Sequence, residues 1–277
     1  MVKICYYEGR FCSEKDVAIP ISDYIIQRGV GVFDLVRTYG RRPMQMSAHL
    51  KRLLASASEL GIEAPWKPEQ LAELVMKGIE RCEGEVLAKI FITGGDDFVG
   101  ECRFVHPRLF LTFESIALPP NEVYKKGVRL YPVMHGRATP TAKSVDYLSS
   151  YEKDKNDPEA FEVVYCPGGE ITEAAHSTFF LVKKGKVVTA PSDRVLAGTT
   201  RAILLQLMEE NHVDVELRCP RLDELPSADE AFIAGSLKQI VPVVEIGPQK
   251  IGTAVPGAFT ERITKLFKDN IYRWVES

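Results

Sequence analysis

The chain is most informative at Ala138-Thr-Pro-Thr-Ala-Lys143-Ser-Val-Asp-Tyr-Leu148, where small and hydroxyl-bearing residues surround one lysine. Most lysines are solvated surface groups with a pKa of about 10.4, so an ordinary lysine is a poor nucleophile at neutral pH. A lysine that is joined covalently to a carbonyl group and later released can instead act as a base that moves a proton. Lys143 is therefore the first candidate catalytic residue.

A carboxylate follows in a turn after the next predicted strand. Residues 161–166 are mostly apolar and end at Pro167-Gly168-Gly169, which indicates a strand and a turn. Glu173 comes shortly afterwards, and the small or polar residues 174–178 leave room for a flat ring beside it. An acid in this place can keep the nitrogen of a pyridine ring protonated, which makes that ring an electron sink.

Two further segments are suited to bind a phosphate group. Gly198-Thr199-Thr200 opens a predicted helix, and the amides at a helix start, together with the helix dipole, form an anion site. Leu196, just before it, is placed to cover one face of a ring. Arg52 lies on an earlier predicted helix, and a guanidinium can bind phosphate through two hydrogen bonds.

The bulk properties are those of an ordinary globular protein. Hydrophobic residues make up 45% of the chain and charged residues 26%, and the net charge of −3 gives no reason to expect nucleic acid or an anionic membrane as partner. The six cysteines form no C-x-x-C pair, which favours reduced thiols over disulfides or zinc. Because no segment resembles a signal peptide or a membrane span, we expect a soluble cytoplasmic protein.

The 277 residues exceed the usual size of a single core, so two domains are expected. Residues 1–117 mix strands and helices without βαβ alternation and predict a small α+β domain; in it, Ser47 is expected to cap a helix whose apolar residues recur at helical spacing. Residues 118–126 predict an interdomain linker, and residues 127–277 a larger domain that carries Lys143.

Together these residues resemble the fold-type IV enzymes that depend on pyridoxal 5'-phosphate (PLP), the class IV aminotransferase family. The resemblance covers nearly the whole chain, and the motifs come in the order that the family has. They are Gly29-Val-Gly-Val-Phe-Asp34 with Val36-Arg-Thr-Tyr39, His49-x-x-Arg52-Leu53, Lys143, Thr172-Glu173, Leu196-x-Gly198-x-Thr200-Arg201 and Ile240-Val-Pro-Val243.

The resemblance implies a small α+β N-terminal domain, a larger C-terminal pseudo-barrel domain, PLP between them, and a homodimer. Lys143 would form the Schiff base, Glu173 would face the pyridine nitrogen, and Arg52 would bind the phosphate. Further residues are implied by their positions in the motifs. For the cofactor these are Leu196, Gly198, Thr199, Thr200 and Ser236, and for the substrate Phe33 and Tyr147.

The sequence departs from the family pattern at the place where relatives supply a cation for the substrate carboxylate. D-amino-acid transaminases often use an Arg-x-His pair in the loop that corresponds to residues 94–101, but this loop is acidic here and lacks that pair. A desolvated carboxylate without a cation is costly, so other groups must serve. The candidates are Arg28 and Lys238, with Arg103 and His106 as weaker ones.

The preferred hypothesis is a D-amino-acid transaminase (EC 2.6.1.21) with 2-oxoglutarate or pyruvate as acceptor. Tyr147 follows Lys143 by four residues, as in the D-amino-acid and lyase branch, whereas branched-chain transaminases have a Gly-Gly-Asn-Tyr motif with tyrosine five residues after the lysine. The alternatives are a branched-chain L-amino-acid or (R)-amine transaminase, then an aminodeoxychorismate lyase. A non-catalytic scaffold is disfavoured because it would need neither Lys143 nor Glu173.

Overall fold

The computed structural model describes residues 3–100 and 103–276, and the chain divides into two compact units. The first unit comprises residues 1–117 together with Ala142–Asp146 and Tyr272–Ser277, and the second comprises Leu118–Thr141 and Tyr147–Ile271. Within the described ranges, no helix is both long and apolar enough to cross a membrane.

In its described part, the first unit contains a six-stranded antiparallel sheet in the order β2-β1-β8-β5-β3-β4, and a separate hairpin of β6 and β7. The strands are β1 Ile4–Tyr7, β2 Arg10–Ser13, β3 Gly31–Tyr39, β4 Arg42–Pro43, β5 Val86–Thr93, β6 Asp97–Val99, β7 Arg103–Val105 and β8 Leu109–Ser115. The helices are α1 Tyr24–Arg28, α2 Met46–Glu59 and α3 Pro68–Glu80, with a 3₁₀ turn at Glu14–Asp16.

Helix α2 covers one face of this sheet because its apolar residues recur at helical spacing. Leu50, Leu53 and Ala57 are buried in the same core as residues of β3, β5 and β8. The helix begins at Met46 rather than at the predicted cap Ser47. The amide and hydroxyl of Ser47 instead donate hydrogen bonds to the carboxylate of Glu276, which acts as an acceptor at the first turn.

The segment that carries Lys143 belongs to the first unit, which differs from the predicted assignment of this lysine to the C-terminal domain. The backbone amide of Phe33 donates to the carbonyl of Lys143 at 3.0 Å, and the amide of Val145 donates to the carbonyl of Gly31 at 3.0 Å. These bonds lay the segment along the first residues of β3. Pairing between residues so far apart in the chain leaves no local signal, which is why it escaped prediction.

Every residue of the second unit is described, and its strands form one nine-stranded sheet. The strands are β9 Val128–Val133, β10 Glu162–Tyr165, β11 Glu173–Ala174, β12 Ser177–Lys183, β13 Lys186–Thr189, β14 Val215–Leu217, β15 Glu230–Gly235, β16 Gln239–Ile246 and β17 Gln249–Lys250. The helices are α4 Asn121–Lys126, α5 Glu152–Asn156, α6 Thr199–Glu210 and α7 Ala258–Asn270. Shorter 3₁₀ turns lie at Leu148–Tyr151, Pro167–Gly169, Leu222–Ser227 and Ile271–Trp274.

Six of these strands close into a ring, in the order β10-β9-β16-β15-β12-β11 and back to β10. The two-residue strand β11 completes the ring, because Ala174 pairs with Val164 of β10 and with Ser177 of β12. This closure confirms the predicted pseudo-barrel. The predicted linker includes helix α4, so the chain is helical just after the boundary at Leu118.

Candidate active site

Lys143 is buried, with 8% of its surface exposed. Its Nζ lies 4.6 Å from the ring centroid of Phe33, which is on β3 and was predicted to contact substrate. The main chain is fixed on a second side, since the backbone amide of Lys143 donates to Ser56 Oγ at 3.0 Å, and Ser56 Oγ donates to the carbonyl of Arg52 at 2.8 Å. A single hydroxyl therefore links the lysine segment to the helix turn of Arg52.

Arg52 is held by a fully buried carboxylate. The Nε and Nη2 atoms of Arg52 donate to the two oxygens of Asp34, each at 2.8 Å, and His49 Nδ1 also lies 2.8 Å from Asp34. A carboxylate can only accept, so His49 carries its proton on Nδ1. Burial alone would raise the pKa of Asp34, but the charge of Arg52 and the hydrogen bonds from Arg52 and His49 hold this pKa well below its usual range.

Burial shifts the pKa of His49 in the opposite direction from the pKa of Asp34. The loss of solvent lowers the pKa of His49, and this outweighs the carboxylate of Asp34, which would raise it. The imidazole is therefore neutral at neutral pH, and the cluster combines one anion with one cation. A guanidinium whose orientation is fixed in this way can present a directed positive charge to a phosphate group.

Glu173 lies on β11 and forms an ion pair with Arg137, with Arg137 Nε 3.1 Å from Glu173 Oε1. Arg137 Nη2 also donates to the carbonyl of Ala175. Burial would lower the pKa of Arg137, but the charge of Glu173 and the nearby Tyr147 raise it. A permanent cation therefore stabilises the ionised carboxylate.

Tyr147 contacts both a cation and an aromatic ring. The guanidinium carbon of Arg137 is 4.8 Å from the ring centroid of Tyr147, and the ring of His176 stacks on Tyr147 at 5.0 Å and 5°. Arg137 was not identified from the sequence, because nothing in His135-Gly136-Arg137 distinguishes a buried arginine from an exposed one. Only the fold brings it to Glu173.

The start of helix α6 has the features of an anion site. Gly198 is the N-cap, and Thr199 and Thr200 are buried behind it. A Cβ on Gly198 would lie 2.8 Å from the hydroxyl oxygen of Thr178, so the Thr178 side chain leaves space here for glycine but not for a larger residue. Thr199 Oγ1 lies 3.3 Å from Ser236 Oγ, which brings these two predicted cofactor residues together. The predicted Leu196 is partly buried just before the cap.

The four candidate substrate cations lie in different surroundings. Arg28 is exposed at the end of α1, and its Nη1 donates to the carbonyl of Gln27 at 2.9 Å. Lys238 forms an ion pair with the buried Glu162. The two weaker candidates are on the surface, each close to an acid. Arg103 is 2.6 Å from Glu63, and His106 is 3.4 Å from Asp96.

Comparison with known proteins shows the family of this chain. Residues 31–246 match the sequence profile of the family described as amino-transferase class IV. The chain is 29% identical over 286 residues to a putative branched-chain-amino-acid aminotransferase of Methanocaldococcus jannaschii, covering 97% of this chain and 96% of the relative. It is 26% identical over 272 residues to the D-alanine aminotransferase of Bacillus licheniformis, covering 96% of each.

The fold is similar to that of solved structures. The branched-chain amino acid aminotransferase of Escherichia coli superposes with a TM-score of 0.84 at 22% identity, over 100% of this chain and 97% of the other. Another branched-chain amino acid aminotransferase, solved with pyridoxamine 5'-phosphate, superposes with a TM-score of 0.89 at 20% identity, over 100% of this chain and 98% of the other. These matches confirm the predicted family, the two-domain fold and PLP as the cofactor.

Proposed function

Since the chain belongs to the class IV aminotransferase family, we propose that it transfers the amino group of a D-amino acid to a 2-keto acid, either 2-oxoglutarate or pyruvate. The observation that carries the preference for D-amino acids is Tyr147, four residues after Lys143, which is the spacing of the D-amino-acid and lyase branch and not that of branched-chain transaminases. Similarity to D-alanine aminotransferases supports it. Tyr147 is also held by contacts with Arg137 and His176, and such contacts limit the motion of its ring.

The residues of each unit fit one part of PLP. In the first unit, the amine of Lys143 would hold the aldehyde and the guanidinium of Arg52 the phosphate. In the second, the carboxylate of Glu173 would face the pyridine nitrogen, and the amides of Thr199 and Thr200 would bind phosphate oxygens. When bound, PLP supplies a protonated ring that withdraws electrons from the substrate α-carbon.

In this proposal Lys143 is the acid–base residue. Its Nζ would remove the α-proton of the amino acid and would return a proton at the carbon that carried the cofactor's aldehyde. The backbone bond to Ser56 and the ring of Phe33 limit where this amine can move. Such restriction favours proton transfer, because the donor and acceptor atoms must lie within hydrogen-bond reach.

Glu173 and Arg137 would act together on the ring nitrogen. The ionised carboxylate of Glu173 keeps a proton on that nitrogen, and the cation of Arg137 keeps Glu173 ionised inside the protein. Without a protonated ring, the substrate loses its α-proton more slowly. The pair therefore controls the chemical step rather than the binding of substrate.

We assign the substrate carboxylate to Arg28 rather than to Lys238. Arg28 is exposed at the end of α1, immediately before Gly29, and it donates to the neighbouring carbonyl of Gln27 rather than to an acid. Lys238, in contrast, is engaged by Glu162. Phe33 and Tyr147 would contact the rest of the substrate.

The active form in this proposal is a homodimer in the cytoplasm. Each unit exposes large apolar side chains that a partner subunit could cover. Ile21 is 79% exposed in the first unit, and Leu148 is 81% exposed in the second. Sedimentation equilibrium over a range of concentrations tests this: a species of about twice 31.0 kDa is expected, and a monomer at all concentrations contradicts it.

The decisive experiment is a half-reaction with single amino acids. The holoenzyme is mixed with D-alanine, D-glutamate, L-glutamate or L-leucine, and the visible absorbance of the bound cofactor is followed. Rapid loss of this absorbance with D-substrates supports the proposal. The second candidate is a branched-chain L-amino-acid transaminase, which the Methanocaldococcus jannaschii relative favours. Rapid loss with L-leucine and none with D-substrates would select that candidate.

Borohydride reduction tests the role of Lys143 independently. It should attach the cofactor covalently to Lys143, as peptide mass spectrometry can show. Lys143→Ala should lose at least about 10²- to 10⁴-fold in turnover, the usual contribution of a general acid–base group, while the far-ultraviolet circular dichroism stays unchanged. Label on another lysine would contradict the assignment.

A further inference from the structure

The loop between β15 and β16 is short and carries Ser236, one of the predicted cofactor residues. It contains Ser236, Leu237 and Lys238, and Gly235 pairs with Gln239 where the two strands meet. Gln239 has a φ of 59°, in the left-handed region, so the loop turns sharply at its end. A loop with this backbone needs contacts that hold it in place.

Lys238 supplies such contacts on two sides. Its ammonium pairs with the carboxylate of Glu162 on β10, and the exposed fractions of the two side chains are 12% and 2%. Lys238 Nζ also lies 5.0 Å from the ring centroid of Phe161. The hydroxyl of Tyr124, on α4, donates to the carbonyl of Lys238 at 3.1 Å. The end of the loop is thus tied to a strand and to a helix.

Glu162, the partner of Lys238, is held in the barrel by further hydrogen bonds. Its carboxylate accepts hydrogen bonds from the backbone amide of His176 and from Ser177 Oγ, in addition to the ammonium of Lys238. Burial alone would raise the pKa of Glu162, but Lys238 and His176 hold this pKa below its usual value. The carboxylate is therefore ionised, and removing its cation would leave a buried charge, which is costly.

The other end of the loop lies at the helix start described above. Ser236 Oγ is 3.3 Å from Thr199 Oγ1, at the first residue of α6. Lys238 is only two residues away, so its position limits where Ser236 can lie. The ion pair and the anion site are thereby coupled through three residues of one loop.

We propose that Lys238 is a positioning residue, which through its ion pair with Glu162 holds Ser236 beside Thr199 so that the loop and the start of α6 together bind the cofactor phosphate. The proposal rests on the proposed phosphate site at the start of α6. It gives Lys238 a different role from the substrate cation that the sequence suggested. The ion pair directs the single ammonium group of Lys238 towards Glu162, whose side chain is 2% exposed.

Two variants test the pair. Lys238→Met removes the charge and keeps the length, and Glu162→Gln removes the opposite charge while keeping an acceptor for the amide of His176. Lys250→Met, in the following hairpin, is the matched control because Lys250 is exposed. The binding of PLP is compared with that of pyridoxal, which lacks the phosphate. The unfolding temperature of the apoprotein is also measured with and without inorganic phosphate.

We expect each single variant to weaken PLP by about tenfold, the equivalent of one lost hydrogen bond, and to leave pyridoxal binding unchanged. The stabilisation by inorganic phosphate should shrink in both. The double variant should lose no more than Lys238→Met alone, because both changes act through one contact. If Lys238→Met fails to fold, Glu162→Gln alone carries the test, and Lys238→Arg should restore PLP binding. The control should match the wild type.

Three results would overturn the inference. Equal weakening of PLP and pyridoxal means a general structural role, and no weakening of either means that the pair does not act on the phosphate. A higher KM for 2-oxoglutarate but not for pyruvate, with unchanged PLP binding, makes Lys238 a substrate cation. Phosphate stabilisation of the apoprotein is independent of turnover, so a failure of the D-amino-acid assignment would be seen separately, in the half-reaction.

Discussion

Ser56 Oγ accepts a hydrogen bond from the backbone amide of Lys143 at 3.0 Å. The same oxygen donates to the carbonyl of Arg52 at 2.8 Å. The proposed proton-transfer lysine and the proposed phosphate arginine therefore share one buried hydroxyl, although they are far apart in sequence. A substitution of Ser56 should therefore affect the positions of both residues, although its hydroxyl contacts only their main chains.

Ser56→Ala should reduce the free energy of unfolding by about 1–3 kcal/mol, because a buried backbone amide loses its acceptor. We also expect kcat to fall by a larger factor than any change in KM, because the chemical step depends on the position of Lys143. Urea unfolding and steady-state kinetics measure the two effects. Ser58→Ala is the control, because Ser58 is exposed on the same helix. Equal effects of both variants would contradict the role of Ser56.

Asp34→Asn should lower the free energy of unfolding by about 3–5 kcal/mol at neutral pH, because it leaves the guanidinium of Arg52 without its anion. The exposed Asp193→Asn should change it by less than about 0.5 kcal/mol. Binding of PLP should weaken in the Asp34 variant, with pyridoxal less affected. An unchanged ratio of the two affinities would argue against a link between Asp34 and the phosphate.

The pH dependence of stability provides a separate prediction for Asp34. Its folded pKa lies below the unfolded value of about 3.9, so the unfolded state takes up the proton first as pH falls. The contribution of Asp34 is therefore complete above about pH 4 and is lost as the pH falls towards the folded pKa. The wild type should show this loss in urea unfolding at acid pH, and Asp34→Asn should show a flatter curve there.

Arg137→Met should slow exchange of the substrate α-proton with solvent, because Glu173 then loses the cation 3.1 Å away. Stability should fall by about 3–5 kcal/mol, the usual cost of breaking a buried ion pair from one side. Proton exchange followed by nuclear magnetic resonance, together with thermal unfolding, measures both. Arg137→Lys keeps the charge and should lie between the variant and the wild type. Unaltered exchange in Arg137→Met would exclude this role.

Arg28→Gln should raise the KM for amino acid and keto acid by about 10- to 150-fold, which corresponds to the loss of one charge-assisted contact. Borohydride labelling and the thermal unfolding temperature should stay as in the wild type, since Arg28 is exposed. Arg10→Gln, exposed on β2, is the control. If KM does not change in Arg28→Gln, another group binds the carboxylate.

Short-range sequence patterns were enough to predict the secondary-structure elements and the motif residues. Helix α2 follows from the spacing of Leu50, Leu53 and Ala57, and the start of α6 follows from Gly198 and the threonines after it. These features depend on neighbours within one or two turns, so periodicity and capping preferences are enough to find them.

Contacts between distant residues could not be predicted in the same way. Asp34 and His49 lie at core positions where an apolar residue would be expected, and only the fold shows that they hold Arg52. Arg137 meets Glu173, and Lys238 meets Glu162, although the partners are far apart in the sequence. The residue type does not show whether a charged side chain is solvated or paired with a buried partner, so such pairs become visible only in the folded structure.

Glu173 belongs to the two-residue strand that closes the six-stranded ring. The acid proposed for the chemistry therefore also lies on the shortest strand of the ring. Any insertion, deletion or register slip there would open the ring and displace the acid in one event. Directed evolution of this protein should accordingly accept new residues around this point far more readily than any change in chain length across it.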